Sequence, residues 1–178
     1  MGGEMEYRVL TRAEISKLAE MDRTEAIDHI YHIRDGKPSL ENEHWDVKGW
    51  SVPEKQRRIA ELQKGYDDGD TLFGAFDGPT LIGISVFEPH PLPSAVGRFN
   101  LGGLWVSQKH RGKGIGRTLA QLVIDKARGL GAKTMYVSAT PSENTVRFYM
   151  SMGFRLAESV DPYLFEREPE DIHMELIL

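Results

Sequence analysis

The chain has 178 residues, 40% of them apolar and 28% charged, a balance that suits one domain with its own hydrophobic core. Its formal net charge of −5 argues against general binding to nucleic acid or to an anionic membrane surface. With no cysteine, disulfides, thiolate metal sites and a cysteine nucleophile are excluded.

Residues 1–7 hold two glutamates and no apolar stretch, so they do not read as a secretory leader, and the opening Met-Gly-Gly-Glu-Met is given no structural role. The longest apolar run, residues 81–87, is interrupted by Gly83 and Ser85 and is far too short to span a bilayer. A cytoplasmic location is the expectation. Residues 7–10 predict a strand. Thr11 then caps a helix, with Glu14 three residues on completing a capping box and Ile15, Leu18 and Ala19 as its apolar stripe. Residues 24–34 read as a second helical piece stopped by Gly36 and Pro38, and residues 36–50 show no clear period. Ser51, Pro53 and Glu54 open the next helix, with Ile59 and Leu62 on its apolar side.

Residues 71–76 and 80–87 predict a hairpin around Asp77-Gly78-Pro79, followed by a loop enforced by Pro89, Pro91 and Pro93. The next strand, residues 98–106, contains Gly102 and Gly103, which mark a bulge or a close approach. A basic, glycine-rich turn leads into a helix with Ile115, Leu119, Leu122, Val123, Ala127 and Leu130 on one face, stopped by Gly131. A strand over 134–139, a short helix over 144–152 ended by Gly153, and strands over 154–158 and 172–178 complete the chain. The order is β-α-α-β-β-β-α-β-α-β-β. That is a mixed α/β class built on one sheet, with residues 1–178 as a single domain.

The turn carries the chemistry. From Lys109 to Arg117 there are four Lys or Arg residues, one His and three Gly, a basic island in an acidic chain. It lies where a strand hands over to a helix, which offers unpaired backbone N–H groups and a positive dipole end to an anion. Two nucleotide motifs fail here on spacing. In a P-loop, Ser or Thr would follow Lys113, where Gly114 stands, and the dinucleotide fingerprint is broken by the spacing Gly112, Gly114, Gly116.

Arg111-Gly112-Lys113-Gly114-Ile115-Gly116, behind Leu104-Trp105-Val106, resembles the first signature of the GNAT superfamily of N-acetyltransferases. Residues 144–154, Asn-Thr-Val-Arg-Phe-Tyr-Met-Ser-Met-Gly-Phe, are similar to its second signature, and residues 171–175 to its last strand. The resemblance covers about residues 70–178, and it departs from the family at Val146-Arg147, where many members carry a small residue. It implies a three-layer α-β-α acyltransferase fold and acetyl-CoA as co-substrate, with no metal. The implied activity is direct transfer of an acetyl group to the primary amine of a small molecule or a protein, with no part for nucleic acid or membrane. The alternative is an acyl-CoA-binding sensor without turnover.

The resemblance also assigns residues. The backbone of Leu104, Trp105 and Val106 would pair with the pantetheine arm. The amides from Arg111 through Gly112, Lys113, Gly114, Ile115 and Gly116 would take the pyrophosphate, with Arg111 and Lys113 adding side-chain charge. Asn144 would hold the pantetheine or order its helix. Tyr149 would be the acid that protonates the departing thiolate. An N–H at the bulge near Leu104 would stabilise the oxyanion. The sequence nominates Glu88, at the end of a strand, as the base, with Asp46 and Glu43 as alternatives. Acids and aromatics in residues 24–50 (Asp28, Glu41, Glu43, Asp46, Trp45, Trp50) would suit a cationic amine, and residues 162–165 would line the same site or cover the sheet. Exposed strand edges near the C-terminus would suit a homodimer.

Overall fold

In the computed structural model residues 4–178 are described, so Met1–Gly3, the start of the segment given no structural role, lies outside them. The chain divides into two units. The first comprises residues up to 25, 48–90 and 101–130, and the second residues 26–47, 91–100 and 131–178.

In the first unit, β1 (Met5–Val9), β4 (Thr71–Asp77), β5 (Thr80–Phe87) and the last six residues of β6 (Arg98–Val106) pair antiparallel in that order. The predicted first helix is present as a 3-10 helix, Arg12–Glu20, with the Thr11–Glu14 capping box in place. Three residues per turn stack Ile15 and Leu18 on the buried side and turn Ala19 outward, which corrects the expected stripe. Helix α1 (Val52–Asp67) starts at the predicted Ser51–Glu54 capping box. Its Ile59, Leu62 and Tyr66 pack with Trp50 and Trp105 on a core of Leu10, Ile15, Leu18, Leu72, Phe76 and Ile84. Helix α2 (Ile115–Gly129) covers the opposite face, because a Cβ on Gly83 would meet Leu119 and Ile115 and strand neighbours alternate sides. Its buried stripe is Ile115, Leu119, Ala120, Val123, Ile124 and Ala127, while Leu130, expected on it, is exposed at the helix end.

In the second unit, β7 (Thr134–Ala139) lies parallel to Arg98, Phe99 and Asn100 of β6 and antiparallel to β9 (Ile172–Ile177). The expected strand over 154–158 shortens to β8 (Arg155–Leu156), and α3 (Glu143–Ser151) packs on β7. Residues 24–34, read as a helix, form strand β2 (Thr24–Arg34), and the aperiodic stretch after it is β3 (Lys37–Lys48). The reason is the turn between them. Asp35 and Gly36 both have positive φ, 51° and 74°, the Asp-Gly signature of a tight two-residue hairpin.

A fourth helix, α4 (Pro162–Arg167), was not among the expected elements, although Asp161 caps it through a bond from the Leu164 amide and Pro162 sits in its first turn. A buried network holds it. The Tyr136 hydroxyl donates to His173 Nδ1 at 2.7 Å and accepts from the Asp161 amide at 3.0 Å, while His173 Nε2 donates to the Glu168 carbonyl at 3.0 Å. Arg98 and Glu175, both buried, pair beside it at 3.0 Å.

Candidate functional site

β6 changes partners halfway along. Its pairing to β7 ends at Asn100, and residues 101–106 pair with β5 alone, so among the described residues their other edge carries no ladder. Such an edge presents backbone donors and acceptors for an extended guest. Leu104, Trp105 and Val106 lie on it, each half-buried. In the ladder Leu101 faces Phe87 and Gly103 faces Val86, leaving Gly102 as the bulge. A Cβ on Gly102 would collide with the Glu88 carboxylate, so glycine is what lets Glu88 lie against the strand.

The strand's exit is tied down. The Ser107 amide donates to Ile82 at 2.8 Å, Ser107 Oγ accepts from the Asp22 amide at 2.9 Å, and the Gln108 amide donates to the Asp22 carbonyl at 2.8 Å. One turn of 3-10 helix, Gln108–His110, follows. Gly112 and Gly114 then take φ of 73° and 81°, which only glycine adopts without strain, and a Cβ on either would meet nothing within 4 Å. The space above the turn is therefore open. Gly114 is the N-cap of α2 and offers no capping side chain, so the first-turn amides have no intrahelical or side-chain partner.

Within this cradle the residues differ. The Arg111 amide already donates to the Gln108 carbonyl at 3.3 Å. The Arg111 guanidinium donates from Nε to the Val106 carbonyl at 3.1 Å and pairs with Glu25 at 3.2 Å. It braces the turn against the strand. Lys113 is exposed, Gly116 follows in the first helical turn, and the Ile115 side chain is buried in the core, leaving only its amide for a ligand.

In the second unit, Asn144 is exposed at the second residue of α3, and the cap is Ser142, whose Oγ accepts from the Thr145 amide at 3.3 Å. Val146 fills the core, and Arg147 pairs with Glu143 at 2.9 Å, so the departure at these two positions leaves the helix intact. Tyr149 is 5% exposed, edge-on to Phe154 at 5.2 Å. Burial, and then the charge of Asp171, push its phenol well above the ordinary value of 10. Asp171 is itself raised to about 6 by burial and then by Glu168.

Beside Glu88, Asp70 is raised from 3.8 to about 6, first by burial and then by the Glu88 charge. No sequence motif pointed to it. The acids of residues 24–50 behave differently. Glu41 pairs with Arg34 at 2.9 Å, Asp28 with His44 at 2.7 Å, and Glu43 accepts from His32 at 3.0 Å and from Trp45 Nε1 at 2.8 Å. They form cross-strand pairs on a solvated hairpin. Also unforeseen is the cluster around Trp50, which stands edge-on to Trp105 with centroids 5.5 Å apart. Arg23 lies over the Trp50 ring, and Arg58 over both rings. Among the described residues no group of three or more His, Asp or Glu side chains is placed to hold a metal, and no helix is long and apolar enough to cross a membrane.

Residues 37–154 match the model of the acetyltransferase (GNAT) family. The chain is 33% identical over 122 residues to mycothiol acetyltransferase of Corynebacterium glutamicum (strain R), covering 65% of this chain and 38% of that protein, so it spans well under half of that relative's length. Among solved structures, nourseothricin acetyltransferase superposes with a TM-score of 0.68 at 20% identity, over 97% of this chain and 98% of that one. A Bacillus anthracis str. Ames protein solved in complex with acetyl coenzyme A superposes at 0.71 and 13% identity, over 98% and 99%.

Proposed function

This chain belongs to the acetyltransferase (GNAT) family, and we propose that it transfers an acetyl group from acetyl-CoA to a primary amine, residues 1–178 serving as one catalytic domain. The observation that carries the reading is the unladdered edge of β6 running straight into an open glycine cradle at the uncapped start of α2. An extended arm ending in a pyrophosphate suits that sequence of features, and the Bacillus anthracis neighbour was solved with acetyl coenzyme A.

Bound acetyl-CoA would supply the thioester whose carbonyl the amine attacks. The edge of Leu104–Val106 orients the arm, and an N–H at the bulge near Leu104 faces the developing oxyanion. Holding both reactants in one complex is worth up to ~7–11 kcal/mol in ideal cases. An ammonium acceptor must lose two protons on becoming an amide. Glu88 takes the first, and its place against Gly102 keeps it beside the strand. The second ends on the departing sulfur, by way of Tyr149. The elevated phenol is always protonated near neutrality, so Tyr149 holds its proton ready and donates as the C–S bond breaks. That same elevation makes the phenol a weaker acid and is the one observation favouring the second reading, a coenzyme-binding sensor without turnover. A cytoplasmic setting and a small-molecule or protein amine as acceptor belong to the same proposal. So does a homodimer.

The test is calorimetric titration with acetyl-CoA, followed by amine-dependent thiol release in wild type and Tyr149→Phe. Saturable binding, turnover, and a kcat lower by about 10²-fold in the variant are expected. Binding without amine-dependent release from a broad amine panel would favour the sensor, and absence of binding would sink both.

A further inference from the structure

The first unit holds a cleft of about 240 Å³ lined by Glu20, Met21, Asp22, Arg23, Lys48, Gly49, Trp50 and Lys55. It is smaller than the ~300–1,000 Å³ of drug-sized pockets and suits a single headgroup. Its two acids are already engaged. Glu20 accepts from the Leu81 amide at 3.1 Å and lies 3.4 Å from Lys17, and Asp22 accepts from the Thr24 amide at 2.9 Å and the Thr24 hydroxyl at 2.7 Å. Lys55 donates to the Ala19 carbonyl, which leaves its charge in place.

Arg23 is the unusual member. Its Nε is buried without a hydrogen-bond partner, and among the described residues no carboxylate lies within ion-pair distance of it. Glu25, the acid whose charge acts on it, is paired with Arg111. Burial, then the charges of Arg111 and Arg58, hold Arg23 down to about 10, which still leaves a cation at neutral pH. A half-buried guanidinium without a counter-ion is destabilising, and a fold retains one where something else supplies the anion.

The cleft is fixed to the proposed reaction strand. Asp22, next to Arg23, is bonded to Ser107 and Gln108 at the end of β6, and Trp50 packs on Trp105 within it. We infer that this cleft is the acceptor's anion subsite, in which Arg23 binds a carboxylate or phosphate carried by the amine that is acetylated. The inference rests on the acetyl-transfer reading. It replaces the cationic acceptor suggested by residues 24–50, whose Asp28, Glu41 and Glu43 are already paired.

The experiment compares acceptors that differ in one charge, on protein saturated with acetyl-CoA. One arm sets L-amino acids against their carboxamides, and the other sets phosphoethanolamine against ethanolamine. Wild type is expected to prefer the charged member of at least one pair by about tenfold or more in kcat/KM, and the arm in which this occurs identifies the anion. Arg23→Met should abolish the preference through KM with an unchanged or higher melting temperature, and Arg23→Lys should keep part of it. Equal turnover within both pairs, or an Arg23→Met variant that keeps the preference, overturns the inference while leaving acetyl transfer standing. A second readout needs no turnover. The Arg23 Nε–Hε resonance is followed by NMR as acetate and then inorganic phosphate are added. A saturating shift supports the subsite, and no shift with either anion overturns it, even if acetyl-CoA fails to bind and the functional reading falls by itself.

Discussion

The glycine turn after β6 and the β2–β3 hairpin are both rich in charged residues, yet they are built on opposite principles. In the turn the open groups belong to the backbone, with two positive-φ glycines, open space above them, and a helix start without a capping side chain. Of its basic side chains, Arg111 is turned back to hold the strand end and His110 lies 3.7 Å from Asp77. In the hairpin the backbone hydrogen bonds are ordinary sheet, and the charged groups pair across it, Arg34 with Glu41 and His32 with Glu43. Charge on a loop says little about function until it is known whether that charge already has a partner. The turn leaves backbone donors and space open, whereas the hairpin satisfies itself.

The largest test of this contrast is Gly114→Val. A β-branched side chain would enter the open space and would be forced into a left-handed conformation costing ~1–2 kcal/mol. Acetyl-CoA affinity measured by calorimetry should fall by about 100-fold or more, with α2 retained in the circular dichroism spectrum because its buried stripe is untouched. An unchanged affinity would remove the turn from the site and leave it no different in kind from the hairpin. Arg111→Ala comes next and should cost less than about tenfold in affinity, since its amide and guanidinium are both engaged within the protein. A loss as large as that of the glycine variant would mean that the side chain, not the backbone, grips the ligand.

The two regions also explain what could be read from the residues alone. Backbone-driven features carry their own signature. Gly112 and Gly114 are where a left-handed turn needs them, the Ser51–Glu54 box starts α1, and Gly102 marks the bulge. Residues 24–34 are a strand although Ile27, Ile30 and Ile33 recur at a helical interval, and of these Ile27 and Ile30 are buried. What marks the hairpin is Asp35-Gly36, two consecutive positive-φ residues that close a tight two-residue turn. Asp161-Pro162 likewise announced α4 with an N-cap and a first-turn proline. Arg23 and the Trp50–Trp105 pair left no trace in local sequence, because their environment is assembled from β6, α1 and the segment after the 3-10 helix, and Asp70 is shifted by burial and by Glu88 at the open end of the β4–β5 hairpin. Asn144 lies in the expected helix, but the capping role open to it belongs to Ser142.

Asp70 sharpens the comparison from the other side, because it is half-buried beside Glu88, whereas the hairpin acids stand in solvent with cationic or N–H partners. Its folded value is raised from 3.8 to about 6, by burial first and by Glu88 second. The folded state therefore binds the proton more tightly than the unfolded state does. Stability from this group is fully present below pH 4 and is lost as pH rises through 6. The rise from 3.8 to about 6 corresponds to ~3 kcal/mol, and solvent screening at a partly exposed site reduces this to ~1 kcal/mol. Asp70→Asn should thus raise the unfolding free energy by ~1 kcal/mol at pH 8 and by close to nothing at pH 4, measured by urea denaturation at both values. A stabilisation of equal size at both pH values would show that the carboxyl is already ionised in the folded state at pH 4, so that its folded value is not raised.

The smallest expected effect is in the hairpin itself. Glu41 and Glu43 are held below the ordinary carboxylate range, Glu41 by its bond from Arg34 and Glu43 by bonds from Trp45 and then His32, but these bonds form in solvent. There the attraction is weak, and fixing two long side chains offsets most of it. The double variant Glu41→Gln with Glu43→Gln should therefore leave the melting temperature, the acetyl-CoA affinity and the choice of acceptor unchanged. Amide side chains can still accept from Arg34 and Trp45, so the cross-strand geometry survives the loss of charge. If the double variant instead weakened turnover of a cationic amine while sparing an anionic one, the hairpin acids would be reading the acceptor. The division between a self-satisfied hairpin and a receptive turn would then be wrong at its simpler end.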